Sequence, residues 1–155
     1  MRKPTHADAE LLLRLYEMRR EPELRRARAW ILSNPPLTWE SVKSVYMSHE
    51  DADRFVRMVS AYWQMVGTLV NRGIMHPDLF FEHTGEDIVT WDRCKEWIEG
   101  ARRDLRPSYH VEFEKMVNAH RAYREKQNAA LVGRASGSTT ARPRRAVRRT
   151  AQARG

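Results

Sequence analysis

Residues 50 to 72 constrain the fold more than any other stretch of the chain. Phe55, Met58 or Val59, Tyr62, Val66 and Leu69 recur every three to four residues, the period of an α-helix. Trp63, Met65 and Val70 widen the apolar surface well past a single stripe. A helix that is apolar over most of its circumference needs neighbours on several sides, so it belongs at the centre of a bundle. Its polar line, Ser60, Gln64, Thr68 and Asn71, keeps helical spacing and carries no charge. That line is expected to be the strip other helices leave uncovered, ahead of a polar binding groove.

The segments on either side supply the neighbours. Thr5 with Asp8 three residues later forms an N-cap with an acid in the first turn, and Leu11, Leu12, Leu15 and Met18 mark one apolar face to about Arg20. Pro22 ends this helix and suits the first turn of the next, with Leu24, Ala27, Trp30 and Ile31 inward until Asn34-Pro35-Pro36. Thr38 can cap a short helix carrying Trp39, Val42 and Val45 or Tyr46. Gly73 provides a left-handed stop to the central helix, and Pro77 opens a short helix to about Glu82. Ile88, Trp91, Cys94, Ile98 and Ala101 describe a further helix that closes before Arg106-Pro107. Ser108 is the expected cap of a last helix with Phe113, Met116, Val117, His120 and Tyr123 inward. No strand of useful length and no internal repeat is legible. The expectation is an all-α, single-domain bundle of five to six helices over 1–132.

Beyond Leu131 the composition changes to Gly, Ser, Thr, Ala, Arg and Pro. Such a segment cannot offset the entropy of ordering itself, so 133–155 reads as a disordered arginine-rich tail. The formal charge of +8 divides unevenly. The tail holds seven arginines and no acid, which leaves +1 for the other 132 residues. Arg142, Arg144, Arg145, Arg148 and Arg149 are therefore the candidate contacts to nonspecific nucleic acid or an anionic surface. No aromatic residue is interleaved to stack on bases, so such binding would be weak.

The single cysteine, Cys94, excludes an internal disulfide and a cysteine-based zinc site. It lies on an inward helix face, which favours an inert buried thiol over a nucleophile. The opening Met-Arg-Lys-Pro-Thr-His does not read as a signal peptide. The longest uncharged run near the middle, 58 to 71, is fourteen residues and includes polar ones, short of a membrane span. A cytoplasmic location without a transmembrane segment is expected.

The stretch "LVNRGIMHPDLFFEHTGED", 69–87, crowds His76, His83 and four carboxylates into a segment broken by Gly73, Pro77 and Gly85. Together with "LLLRLYEMRREPELRRARAWIL" before it and a Trp-containing helix after it, it resembles a bacterial family of small all-helical proteins of unknown function. The resemblance covers about residues 5 to 105, and its most specific part is the Asn-Arg-Gly-Ile…Leu-Phe-Phe-Glu…Gly-Glu pattern. It implies an all-helical single domain and brings no activity, ligand or site residue with it.

Judged as chemistry, the elbow offers His76, Glu82, His83 and Glu86 as candidates. With a helix from Pro77, the two histidines stand two turns apart, about 10 Å along the axis. One zinc ion would need the backbone to fold back to hold both. The helical i, i+4 histidine pair is absent, as are the nucleophile-elbow, phosphate-loop and dinucleotide fingerprints. No metal site and no cofactor are expected. The structural reading uses more residues: Gly73 for positive φ, Pro77 for a preset φ, Asp78 at a helix start, and Leu79, Phe80 and Phe81 driven inward.

Three classes of function follow. The leading one is a non-catalytic interaction module whose apolar surface is covered by a protein partner or a second copy, since five tryptophans are a dense supply of interface-type side chains. Weak nucleic-acid or anionic-surface binding through the tail comes next. An enzyme or metal site at the 76–87 elbow comes last.

Overall fold

The computed structural model describes residues 2 to 137. Among them are seven helices and no strand: α1 (His6–Arg20), α2 (Pro22–Ser33), α3 (Trp39–Lys43), α4 (Asp51–Asn71), α5 (Pro77–His83), α6 (Glu86–Asp104) and α7 (Val111–Gly137). The fold class is all-α, as expected. The count exceeds five to six because the five-residue α3 and the seven-residue α5 are both closed as helices. The chain divides into a unit of Met1–Tyr123 and a second unit of Arg124–Gly155. The core lies in the first. In the second, the described residues are the helical continuation of α7. The five candidate arginines of the tail, Arg142 to Arg149, lie outside the described residues.

The caps act largely where local chemistry puts them. Thr5 and Asp8 close a reciprocal capping box on α1. Pro22 occupies the first turn of α2, where the Glu21 carboxylate accepts from the Leu24 N–H at 2.8 Å. Thr38 accepts from the Ser41 N–H to start α3. Gly73 takes φ 68° after α4, a conformation that a side chain would strain. The turn into α4 has no glycine, and Met47 and His49 hold φ 62° and 63°. Their N–H groups both donate to the buried Asp53 carboxylate, at 3.1 and 3.2 Å, which holds the turn.

Helix α4 is the centre of the first unit. Phe55, Val56, Val59, Tyr62, Trp63, Val66 and Val70 are buried along it, while Leu69 is half-buried. Helix α2 lies along α4, and α3 packs on α6. Trp91, Cys94, Trp97, Ile98 and Ala101 of α6 meet Phe113, Met116 and Val117 of α7 in one continuous core. Phe113 stacks on Trp63 and meets Trp91 in a T-shaped contact.

The polar line of α4 is not the uncovered strip that its composition suggested. Ser60 is buried and bonds back to the Val56 carbonyl, and Gln64 and Thr68 are half-buried. The line is where the first turn of α7 docks. Gln64 Oε1 accepts from the Phe113 N–H at 3.0 Å, and Asn71 Nδ2 donates to the Glu112 carbonyl and carboxylate. A methyl group on Gly67 would stand 2.3 Å from the Glu112 carbonyl oxygen, so only glycine permits this approach. Uncharged polar side chains suit the place because a helix start presents unsatisfied N–H groups. Gln64 serves the role expected of Ser108, which lies instead in the turn before α7, and His110 in that turn has φ 48°.

Candidate functional site

The elbow assembles, but not around a common point. His76 is buried and sits at the N-cap of α5. Its Nδ1 accepts a long 3.5 Å bond from the Leu79 N–H, which leaves Nε2–H to donate to the Arg2 carbonyl at 2.6 Å. The His76 backbone N–H donates to Asp8 at 2.8 Å. Asp8 also receives both Arg2 Nη atoms and the Thr5 N–H and hydroxyl. The Arg2 guanidinium, together with the Thr5 and His76 donors, holds its carboxyl well below the usual carboxylate range. His76 thus fastens the elbow to the N-terminal segment.

Each of the other candidates is engaged elsewhere. Glu82 accepts from the Tyr123 hydroxyl at 3.0 Å, and His83 Nδ1–H donates to the Leu79 carbonyl within its own helix. Glu86 turns towards α1 and α2. Among the described residues no group of three or more His, Cys, Asp or Glu side chains is placed to hold a metal ion. Phe80 and Phe81 are buried and Leu79 is half-buried, as the structural reading expected. Phe81 stacks at 4.6 Å on His120, whose Nδ1 pairs with the fully buried Asp87 at 2.8 Å. This pair ties α6 to α7 behind the elbow, and it is closed to solvent. Cys94 is likewise buried, and burial pushes its thiol up to about 12, so the thiolate is absent at neutral pH.

Three exposed large apolar side chains lie along α1. Leu15 is buried there, but Leu13 and Tyr16 are more than half exposed and Met18 is 45% exposed. Met18 therefore departs from the inward face assigned to it with Leu11, Leu12 and Leu15. The helix runs out of partners at its C-terminal end, where Glu21-Pro22 turns the chain into α2. Two recesses that share Tyr62 open along this face. One, of about 480 Å³, is walled by Met18, Leu24, Met58, Ala61 and Met65, with Glu21 at its edge. The other, of about 250 Å³, is walled by Leu12, Leu13, Leu15, Tyr16 and Phe80, with Arg19 and His83 beside them.

Arg19 belongs to an ionic cluster that composition alone did not disclose. Arg28 forks both Glu86 oxygens through Nε and Nη2, and Arg19 Nη2 shares Glu86 Oε2. The three side chains are 19, 16 and 15% exposed for Arg28, Arg19 and Glu86. Burial pushes the Glu86 carboxyl up, but the Arg28 bonds and the charges of Arg19 and Arg28 outweigh it and hold it below its ordinary value. The Arg19 guanidinium also lies 5.7 Å over the Trp63 ring and 6.0 Å over Tyr16. The sequence signal for this site was the surplus of apolar residues on α1: Leu13 and Tyr16 fall off its stripe.

No helix among the described residues is long and apolar enough to cross a membrane. No curated protein and no solved structure matches the chain. Residues 4–120, which span α1 to α6 and the inward-facing start of α7, match one family throughout. The chain belongs to the family described as Domain of unknown function (DUF4760).

Proposed function

We propose that the chain is a non-catalytic helical interaction module that receives an apolar segment of a protein partner in the groove between the end of α1 and α4. The observation that carries this is the pair Met18 and Met65, 45% and 37% exposed on the walls of one 480 Å³ groove. Methionine walls adapt to varied apolar partners because the thioether chain is flexible and polarisable. By contrast, His76, Glu82, His83 and Glu86 are each engaged by contacts within the chain, which weighs against acid–base chemistry there. A cytoplasmic setting is part of the proposal, and the single buried thiol is compatible with it.

Site-specific photocrosslinking in living cells tests this reading. A crosslinker at Met18 or Met65 should give one discrete adduct, while crosslinkers at Glu96 and Glu99 on the exposed side of α6 should not. An Ala61→Glu change in the groove should abolish the adduct. An adduct of twice the chain's mass would assign the groove to a second copy. Equal crosslinking from both faces, or none from either, would refute the module.

The charge division favours one further reading, in which the tail supplies affinity for nucleic acid. With +7 in residues 133–155 and +1 in the rest, log affinity for duplex DNA should fall with log salt at a slope no steeper than about −6. A chain ending at Val132 should lose that binding and keep its thermal midpoint. Equal binding by both chains would move the contact into the helices.

A further inference from the structure

We propose that the 250 Å³ recess beside α1 binds an amphipathic monoanion, an unbranched apolar chain of about eight carbons ending in a carboxylate. The proposal stands apart from the protein groove, although the two recesses share Tyr62. It rests on three observations in one place.

The first is charge. Two largely buried guanidiniums share a single carboxylate, and among the described residues no second carboxylate pairs with either. The cluster therefore carries a surplus of +1 where solvent is mostly excluded, a condition that an anion relieves. The surplus is on Arg19. Arg28 spends Nε and Nη2 on Glu86 and Nη1 on the Arg19 carbonyl, whereas among the described residues the Arg19 guanidinium makes one hydrogen bond, to Glu86. The buried Arg19 Nε has no hydrogen-bond partner among the described residues.

The second is the walls. Leu12, Leu13, Leu15, Tyr62 and Phe80 line the same recess as Arg19, so an anion held there has apolar surface along its chain. A volume of 250 Å³ takes about eight groups at roughly 30 Å³ each, the share of one water molecule, and a methylene is of like size. Inorganic anions and polyphosphates would leave these walls wet, and a neutral lipid would leave Arg19 unpaired.

The third is preorganisation. The Arg19 guanidinium is held between Glu86 and the fully buried Trp63 ring, and the Tyr16 ring is flanked by Arg19 at 6.0 Å and Arg20 at 5.9 Å. A carboxylate therefore meets a guanidinium already fixed in place rather than a free side chain, which reduces the entropy lost on binding.

Full-length protein with labelled leucine methyls, titrated with octanoate, octan-1-ol and acetate, tests this. Octanoate should bind at least about tenfold tighter than octan-1-ol, the least a charge-assisted hydrogen bond supplies, and acetate should not bind measurably. The shifting methyls should be those of Leu12, Leu13 and Leu15, and added salt should weaken octanoate alone. Arg19→Met leaves Arg28 and Glu86 paired one to one, and it should erase the preference for octanoate while octan-1-ol still binds. Leu13→Asp alters an exposed residue and should weaken octanoate more than octan-1-ol, which keeps the test open if Arg19→Met does not fold. Equal affinity for octanoate and octan-1-ol, shifts confined to other leucines, or a preference that survives both variants would overturn the site. Tighter binding of a peptide ending in a leucine carboxylate would assign the recess to a chain terminus and overturn the free acyl anion.

Discussion

The elbow at 73–87 and the outer face of α1 invert each other. The elbow is dense in histidines and carboxylates, yet each of its four candidate residues is bound to a partner inside the chain. The α1 face is mostly leucine, with one tyrosine and scattered arginines, yet it retains exposed apolar walls and an ionic cluster of net +1. A crowd of ionisable groups marks a site only when the fold leaves some of their capacity unused. At the elbow that capacity went into fastening: His76 to Arg2, Glu82 to Tyr123, Glu86 to Arg28.

The sharpest break of this comparison is Phe81→Ala. Its ring is buried and stacks on His120, so the change should destabilise the fold by about 3–5 kcal/mol in denaturant melts. A loss below about 1 kcal/mol would make the elbow a surface loop and end its structural reading.

Acid titration separates the Arg19–Arg28–Glu86 cluster from the rest of the core. His110, outside both regions, has a depressed value of about 4 against 6.5, first through burial and then through the charges of Arg106 and Arg102. The unfolded chain therefore binds more protons between these values. Its contribution is whole above pH 6.5 and shrinks as pH falls towards 4, by about 3 kcal/mol. His110→Asn, which tolerates the left-handed backbone, should flatten that window in urea melts at stepped pH. An unchanged slope would reject the assignment.

Glu86→Gln comes next in size. It leaves two largely buried guanidiniums without their carboxylate and should cost about 2 kcal/mol at pH 7. Because the folded carboxyl sits below its ordinary 4.5, its stabilisation is present above that value and is lost as pH falls through the folded one. The variant should therefore show a shallower acid limb below pH 4.5 than wild type, since Asp8 keeps its own share. An acid limb of full size in the variant would remove Glu86 from the account.

The smallest effect is the most telling for function. Met18→Ser and Met65→Ser should each change stability by no more than about 0.5 kcal/mol, since both side chains already meet solvent. A loss above about 1.5 kcal/mol would show that these methionines are core, and the contrast between the two regions would collapse.

Much of the bundle was legible because periodicity and caps are local. The inward positions of α4, α6 and α7, the Thr5 and Thr38 caps, the Pro22 and Pro77 starts and the Gly73 stop all follow from residues within one or two turns of each other. Phe80 and Phe81 were legible for the same reason. The polar strip of α4 was misread because periodicity reports a face and not its neighbour. Gln64 and Gly67 meet residues 112 and 113, more than forty positions away, and an uncharged polar line looks alike against water or against a helix start. Met18 failed similarly, since its face is apolar by sequence and uncovered by topology.

The sequence by itself therefore determined the helical class, the order of the helices, the inert buried cysteine and the concentration of positive charge at the C-terminal end. These depend on rotation per residue, on backbone propensities and on counting. Only the tertiary structure decided what the charged groups do. Arg19 and Arg28 meet Glu86 across 67 and 58 residues, and His76 meets Arg2 across 74. Which long-range pairs form depends on how helices pack against one another, and packing alone left α1 with apolar surface uncovered and a guanidinium to spare.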